Sequence, residues 1–102
     1  MTLRVKVSAR AASQIRKAAE WWVENRPAAP GAVRTDIGEA LALLARQPGI
    51  GTAYEGARTK DVRRLLVGRI RYFIYYRVTP DMPDTLEALA VWHVSRGKQP
   101  SL

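Results

Sequence analysis

The 102-residue chain contains no cysteine and only one histidine. Without cysteine there is no disulfide framework, no thiol nucleophile and no thiolate zinc site, and the composition suits a reducing cytoplasm. No metal and no cofactor are expected. Long apolar runs are also missing: nothing approaches the ~18 residues of a membrane span. The opening stretch, Leu3-Arg4-Val5-Lys6-Val7, alternates apolar and basic residues and lacks the apolar centre of a signal peptide. Neither secretion nor a membrane is indicated. Acidic residues are the third scarcity, with nine Asp and Glu against 17 Lys and Arg, a net charge of +8. Most of the cations are arginine, whose planar fork matches phosphate and carboxylate in pairs, so an anionic partner is expected, either nucleic acid or an acidic protein.

What is present is enough for one folded domain spanning residues 1–102, since 47% of the residues are hydrophobic. Leu3, Val5 and Val7 share one face of a short strand, with Arg4 and Lys6 on the other. Ser8 is placed to cap a helix. Ala12, Ile15, Ala19, Trp22 and Val23 then fall at helical spacing, and the helix should end near Arg26, before Pro27. A second helix is expected from about Ala32 to Gln47, burying Val33, Ile37, Ala40, Leu41 and Leu44, with Pro48-Gly49 closing it. The short connection implies an antiparallel helical hairpin.

Residues 50–59 carry two glycines and no period, and read as a loop. Three strands follow. Residues 62–67 turn at Gly68-Arg69 into residues 70–79, where Ile70, Tyr72, Ile74, Tyr76 and Val78 oppose Arg71, Phe73, Tyr75 and Arg77. Residues 80–84 read as a turn, residues 85–94 as the last strand, and residues 96–102 as a frayed tail. The order β-α-α-β-β-β describes an α+β domain, with the helical hairpin on one face of an antiparallel sheet. The other face, with Arg71, Tyr75 and Arg77, is expected to be free to bind.

Several stretches, in this order, resemble the RelE/ParE superfamily of bacterial toxins, closest to its ParE-like branch. They are Gln47-Pro48-Gly49-Ile50-Gly51, Val62-Arg63-Arg64-Leu65-Leu66, the aromatic strand Tyr72 to Val78, and Trp92-His93-Val94-Ser95-Arg96. The resemblance implies the toxin of a type II toxin-antitoxin system, held by an acidic ParD-like antitoxin whose disordered segment folds onto it. Two activities divide the superfamily. ParE-type members are associated with poisoning of DNA gyrase, and RelE-type members cut mRNA in the ribosome without a metal.

Metal-free RNA cleavage needs a base, an acid and cations around the phosphate. Cations abound: Arg58, Lys60, Arg63, Arg64, Arg69, Arg71 and Arg77 lie in one stretch that contains a single acid, Asp61. For a nuclease, the resemblance makes His93, Arg69 and Arg96 the catalytic candidates. His93 read plainly is a hydrogen-bonded strand histidine. The C-terminal tyrosine on which RelE relies has no counterpart after Tyr76, which favours a gyrase-inhibiting binding protein over an enzyme. For partner binding the candidates are Arg58, Lys60, Arg63, Arg64, Arg71, Tyr75 and Arg77. Trp21 joins them because it lies off the stripe that buries Trp22. A plain basic nucleic-acid-binding module is the remaining alternative, and it would bind DNA or RNA alone in a salt-dependent way.

Overall fold

The computed structural model describes residues 2–102. Strand β1 (Arg4–Val7) leads into helix α1 (Ala9–Asn25), and helix α2 (Ala32–Arg46) returns. A 3-10 turn (Pro48–Ile50) precedes β2 (Thr52–Ala53), β3 (Arg63–Val67), β4 (Tyr72–Thr79) and β5 (Met82–His93). The five strands form one sheet in the order β1-β5-β4-β3-β2. Only the β1–β5 pair is parallel, and the helical hairpin is the crossover that this pairing requires. Among the described residues, no helix is long and apolar enough to cross a membrane.

Local chemistry sets the helix ends. The Ser8 hydroxyl accepts the Ala11 N–H at 3.0 Å, satisfying one of the free donors at the start of α1. Arg26 closes the other end, and Pro27 cannot continue it. The buried stripe of α1 is Ala11, Ile15, Ala18, Ala19 and Trp22, not one through Ala12 and Val23. Val23 is 52% exposed because Trp22 is the last side chain of α1 to reach the core. In α2 the expected residues Val33, Ile37 and Leu44 are fully buried, with Ala40 and Leu41 packed against them. They meet Leu65, Val67, Ile74, Tyr76, Leu86, Ala88 and Val91 from the sheet.

The motif around Pro48 is held by one tyrosine. Tyr76 donates its hydroxyl to the Pro48 carbonyl at 2.6 Å and accepts the Gly51 N–H at 3.0 Å. A Cβ at residue 51 would lie 2.3 Å from that hydroxyl oxygen, so only glycine fits. Burial pushes the Tyr76 phenol up, against the pull of the Gly51 N–H and the Arg63 charge.

Four expectations need correction. The β3–β4 connection is a four-residue turn, not Gly68-Arg69 alone: the Arg71 N–H returns to the Val67 carbonyl at 2.9 Å. Ile70 drops into the core, and Arg71 takes a left-handed φ of 63°. Residues 52–53 add a small strand where a loop was expected, and β5 begins at Met82, inside the expected connector. Nor is the tail frayed. Trp92 Nε1–H donates to the Lys98 carbonyl at 2.8 Å, Thr59 holds the Leu102 carbonyl at 2.6 Å, and Arg10 donates to the Ser101 carbonyl.

That tail lies over the sheet face expected to be open. There Val62, Tyr75 and Ala90 are buried among Tyr54, Phe73, Leu89, Trp92 and Leu102. Tyr75 is therefore not an exposed binding residue but wholly buried, its hydroxyl donating to Gln99 Oε1 at 2.7 Å. An extra residue in β5, Leu89, makes the geometry work. Tyr75 pairs with Ala90 and Tyr76 with Ala88, so the bulge switches which face each later β5 residue serves.

Candidate functional site

The basic residues between Arg58 and Arg77 are close in sequence but do not form one patch. Arg63 donates to the Gly51 carbonyl at 2.7 Å and so ties β3 to the loop beside Tyr76. Arg64 lies on the opposite face, its guanidinium 4.3 Å from the Phe73 ring centre. It donates to the Tyr75 hydroxyl at 3.1 Å and to Gln99 Oε1 at 3.2 Å. Arg69 forms a fork with the Asp36 carboxylate at 2.8 and 2.5 Å, which raises its pKa further through that hydrogen bond and charge. Arg77 pairs with Glu87 at 3.2 Å. Arg58, Lys60 and Arg71 are exposed. The expected set of Arg71, Tyr75 and Arg77 is thus dispersed into a turn, a buried ring and an ion pair.

His93 and Arg96, by contrast, come together at a cleft between α1 and the ends of β4 and β5. Four residues of α1 line its other wall, Gln14, Lys17, Ala18 and Trp21, spaced so that the helix turns them to one side. Tyr72 completes it, its ring edge-on to His93 with centroids 4.9 Å apart. Burial pushes the Tyr72 phenol up, opposed by the nearby Arg96 charge, so at neutral pH it keeps its proton. Trp21 is 48% exposed, and Arg26 sits 5.7 Å above its ring.

Gln14, His93 and Arg96 are each fixed by a neighbour. β1 ends opposite Ala88, leaving the outer edge of β5 unpaired beyond it. Gln14 covers that edge by accepting the Val91 N–H at 2.7 Å. Arg96 is held 3.9 Å over the Trp92 ring. After β5 the chain turns back, and the Ser95 N–H donates to His93 Nδ1 at 3.0 Å. The Ser95 hydroxyl lies 2.7 Å from the same nitrogen, and with Nδ1 assigned as the acceptor the neutral ring carries its proton on Nε2.

Arg69 does not join His93 and Arg96, because Asp36 holds it. Sequence reasoning missed Gln14, Lys17 and Tyr72 as lining residues. The spacing of Gln14, Lys17 and Trp21 was available as a signal, but only Trp21 stood out from it, as a residue off the buried stripe. Among the described residues, no three His, Asp or Glu side chains gather in a way that could hold a metal.

Comparison with known proteins agrees with this architecture. A search of the curated proteins finds no match. Among solved structures, the chromosomal ParDE toxin-antitoxin system of P. aeruginosa is similar, with a TM-score of 0.72 and 21% identity over 92% of this chain and 98% of that one. A free, doubly arginine-substituted RelE toxin of E. coli gives a TM-score of 0.67 and 17% identity, over 93% of this chain and 86% of that one. The RelBE2 toxin-antitoxin complex of Mycobacterium tuberculosis gives 0.60 and 21%, over 91% of this chain and 99% of that one. At these identities the likeness establishes the fold. The family model described as the ParE toxin of the type II toxin-antitoxin system parDE matches residues 5–97, and the chain belongs to that family.

Proposed function

We propose that this toxin acts by binding, as a cytoplasmic poison of DNA gyrase, and that an acidic ParD-like antitoxin neutralises it. The observation that carries the choice of a binding protein over a nuclease is the state of His93. It is the chain's only histidine and, of the nuclease candidates His93, Arg69 and Arg96, the one suited to take a proton from a ribose hydroxyl. Its Nδ1 already accepts the Ser95 N–H and its Nε2 carries the proton, so neither nitrogen offers a free lone pair. The Asp36 carboxylate offsets the charge of Arg69, the second nuclease candidate.

The antitoxin reading rests on surface chemistry. A net charge of +8 attracts an acidic segment, and Val23, Ile50 and Leu66, between 43% and 52% exposed, offer it apolar contacts. A disordered chain that folds as it binds uses both.

The test is to titrate the purified protein into a gyrase supercoiling reaction and, separately, into translating ribosomes. The expected result is loss of supercoiling with accumulated DNA breaks, while ribosome-bound mRNA stays whole. His93→Gln should keep that activity. Cleaved mRNA with gyrase unaffected, abolished by His93→Gln, would reverse the assignment.

A further inference from the structure

Nearly every arginine on the sheet has a partner: Arg63 has carbonyls, Arg64 has Tyr75 and Gln99, Arg69 has Asp36, and Arg77 has Glu87. Lys17 and Arg96 differ. Among the described residues, neither forms an ion pair, and both line the cleft between α1 and the ends of β4 and β5.

The lining side chains present hydrogen-bond donors. Gln14 has its carbonyl oxygen occupied by the Val91 N–H, which leaves its amide N–H groups to serve the cleft. His93 has Nδ1 occupied by the Ser95 N–H, which leaves its Nε2–H. Tyr72 brings a phenol, Lys17 an ammonium, and Arg96 a guanidinium already held in place over Trp92. No carboxylate lines the cleft. Donors without an acid select an anion, and several such donors suit the oxygens of a phosphate.

Trp21 adds a different preference. Its half-exposed ring, with Arg26 over one face, forms an apolar wall beside those donors, and an indole is a surface on which a nucleobase stacks. The cleft volume, about 280 Å³, is on the scale of a phosphate and one sugar with its base.

We propose that this cleft is a binding site for a nucleoside 5′-phosphate. The phosphate sits among Lys17, His93 and Arg96, and the base lies against Trp21. The group could belong to a free mononucleotide or to the phosphorylated end of a strand, since the recognised chemistry is the same. The site shares His93 and Arg96 with the nuclease candidates, and what is proposed there is binding without cleavage.

Two titrations of the isotope-labelled protein test it, one followed by NMR and one by calorimetry. The ligands are the four nucleoside monophosphates, the same nucleosides without phosphate, inorganic phosphate, and a 5′-phosphorylated dinucleotide. Saturable binding of the monophosphates is expected, with the Trp21 indole N–H resonance shifting and the nucleosides binding at least about tenfold more weakly. Lys17→Gln and Trp21→Ala, both on the exposed face of α1, should each weaken binding about tenfold with the melting temperature unchanged. Arg34→Gln, on the exposed start of α2, should leave it as it was. Equal affinity for the dinucleotide assigns the site to strand ends, and weaker affinity assigns it to the free nucleotide. The proposal falls if no ligand saturates below about 1 mM. It falls too if Arg34→Gln weakens binding as much as Lys17→Gln, which would mean diffuse attraction to a basic protein. Inorganic phosphate binding as tightly as the nucleotides, with Trp21 unmoved, would remove the base from the site.

Discussion

The two faces of the sheet are buried by different means. On one face two helices lay Val33, Ile37 and Leu44 against Ile74, Leu86 and Val91, an aliphatic cluster that excludes water by area alone. On the other a tail of a few residues and the loop before β3 cover Tyr75 and Val62, and much of the attachment is polar: Gln99 to Tyr75 and Arg64, Lys98 to Trp92, Leu102 to Thr59. The first face gains its stability from packing, while the second gains much of it from hydrogen bonds worth roughly 1 kcal/mol each. The helix face should therefore behave as the structural core, with the tail face as the part that opens first.

Substitutions that remove one contact type at a time sharpen this contrast. Ile74→Ala, at a fully buried site under the helices, should cost the most, about 2–5 kcal/mol in denaturant unfolding. Gly51→Ala comes next, at about 1–3 kcal/mol, because the new methyl would strike the Tyr76 ring and hydroxyl. Conversion of Gln99 to Ala should cost only about 1 kcal/mol, since it removes the acceptor shared by Tyr75 and Arg64. Its clearer sign should be faster amide exchange in residues 97–102, with the β4 amides still protected; equal loss of protection in both would mean that the two faces open together. Arg71→Gly is the mildest change. It should shift stability upward by about 1 kcal/mol or less, because glycine adopts the left-handed conformation without the strain that arginine bears at a φ of 63°.

Much of the helix-side face was legible in the sequence because its residues recur with a period. Val33, Ile37 and Leu44 repeat at the helical spacing, and Tyr72, Ile74 and Tyr76 alternate along β4, so both faced the core as expected. The tail left no such trace. Its attachments are single hydrogen bonds between residues distant in sequence, such as Thr59 with Leu102, and Gly97-Lys98-Gln99-Pro100 has no pattern of burial to follow. A frayed tail would leave Tyr75 exposed, which is why the sequence alone places it on an open face. The bulge at Leu89 was invisible for a related reason: an extra residue in a strand leaves the composition unchanged and alters only the parity. Of the candidate site, His93 and Arg96 were found through the family motif. Gln14 and Lys17 join them only through the way α1 passes the end of β5, and Tyr72 through its pairing opposite His93.

The same distinction governs the arginines. Charge along the chain suggested a single basic surface, yet Arg63 and Arg64, adjacent in β3, point to opposite faces and serve different neighbours. Alternation along a strand disperses charges that sequence proximity gathers. Double replacement of Arg64 and Arg71 by Glu would thus disturb the attachment of the tail as well as the surface charge, and loss of antitoxin affinity in that variant would not locate the antitoxin. Arg58 and Lys60, exposed and without ion pairs among the described residues, are the cleaner positions for that purpose.

The most direct test of a binding toxin is the rate of protein synthesis, by pulse labelling, in the minutes after this protein alone is induced in a bacterial host. A gyrase poison predicts that synthesis continues at first while cells filament and their DNA breaks. An immediate collapse of synthesis would contradict it and make the ribosome the target.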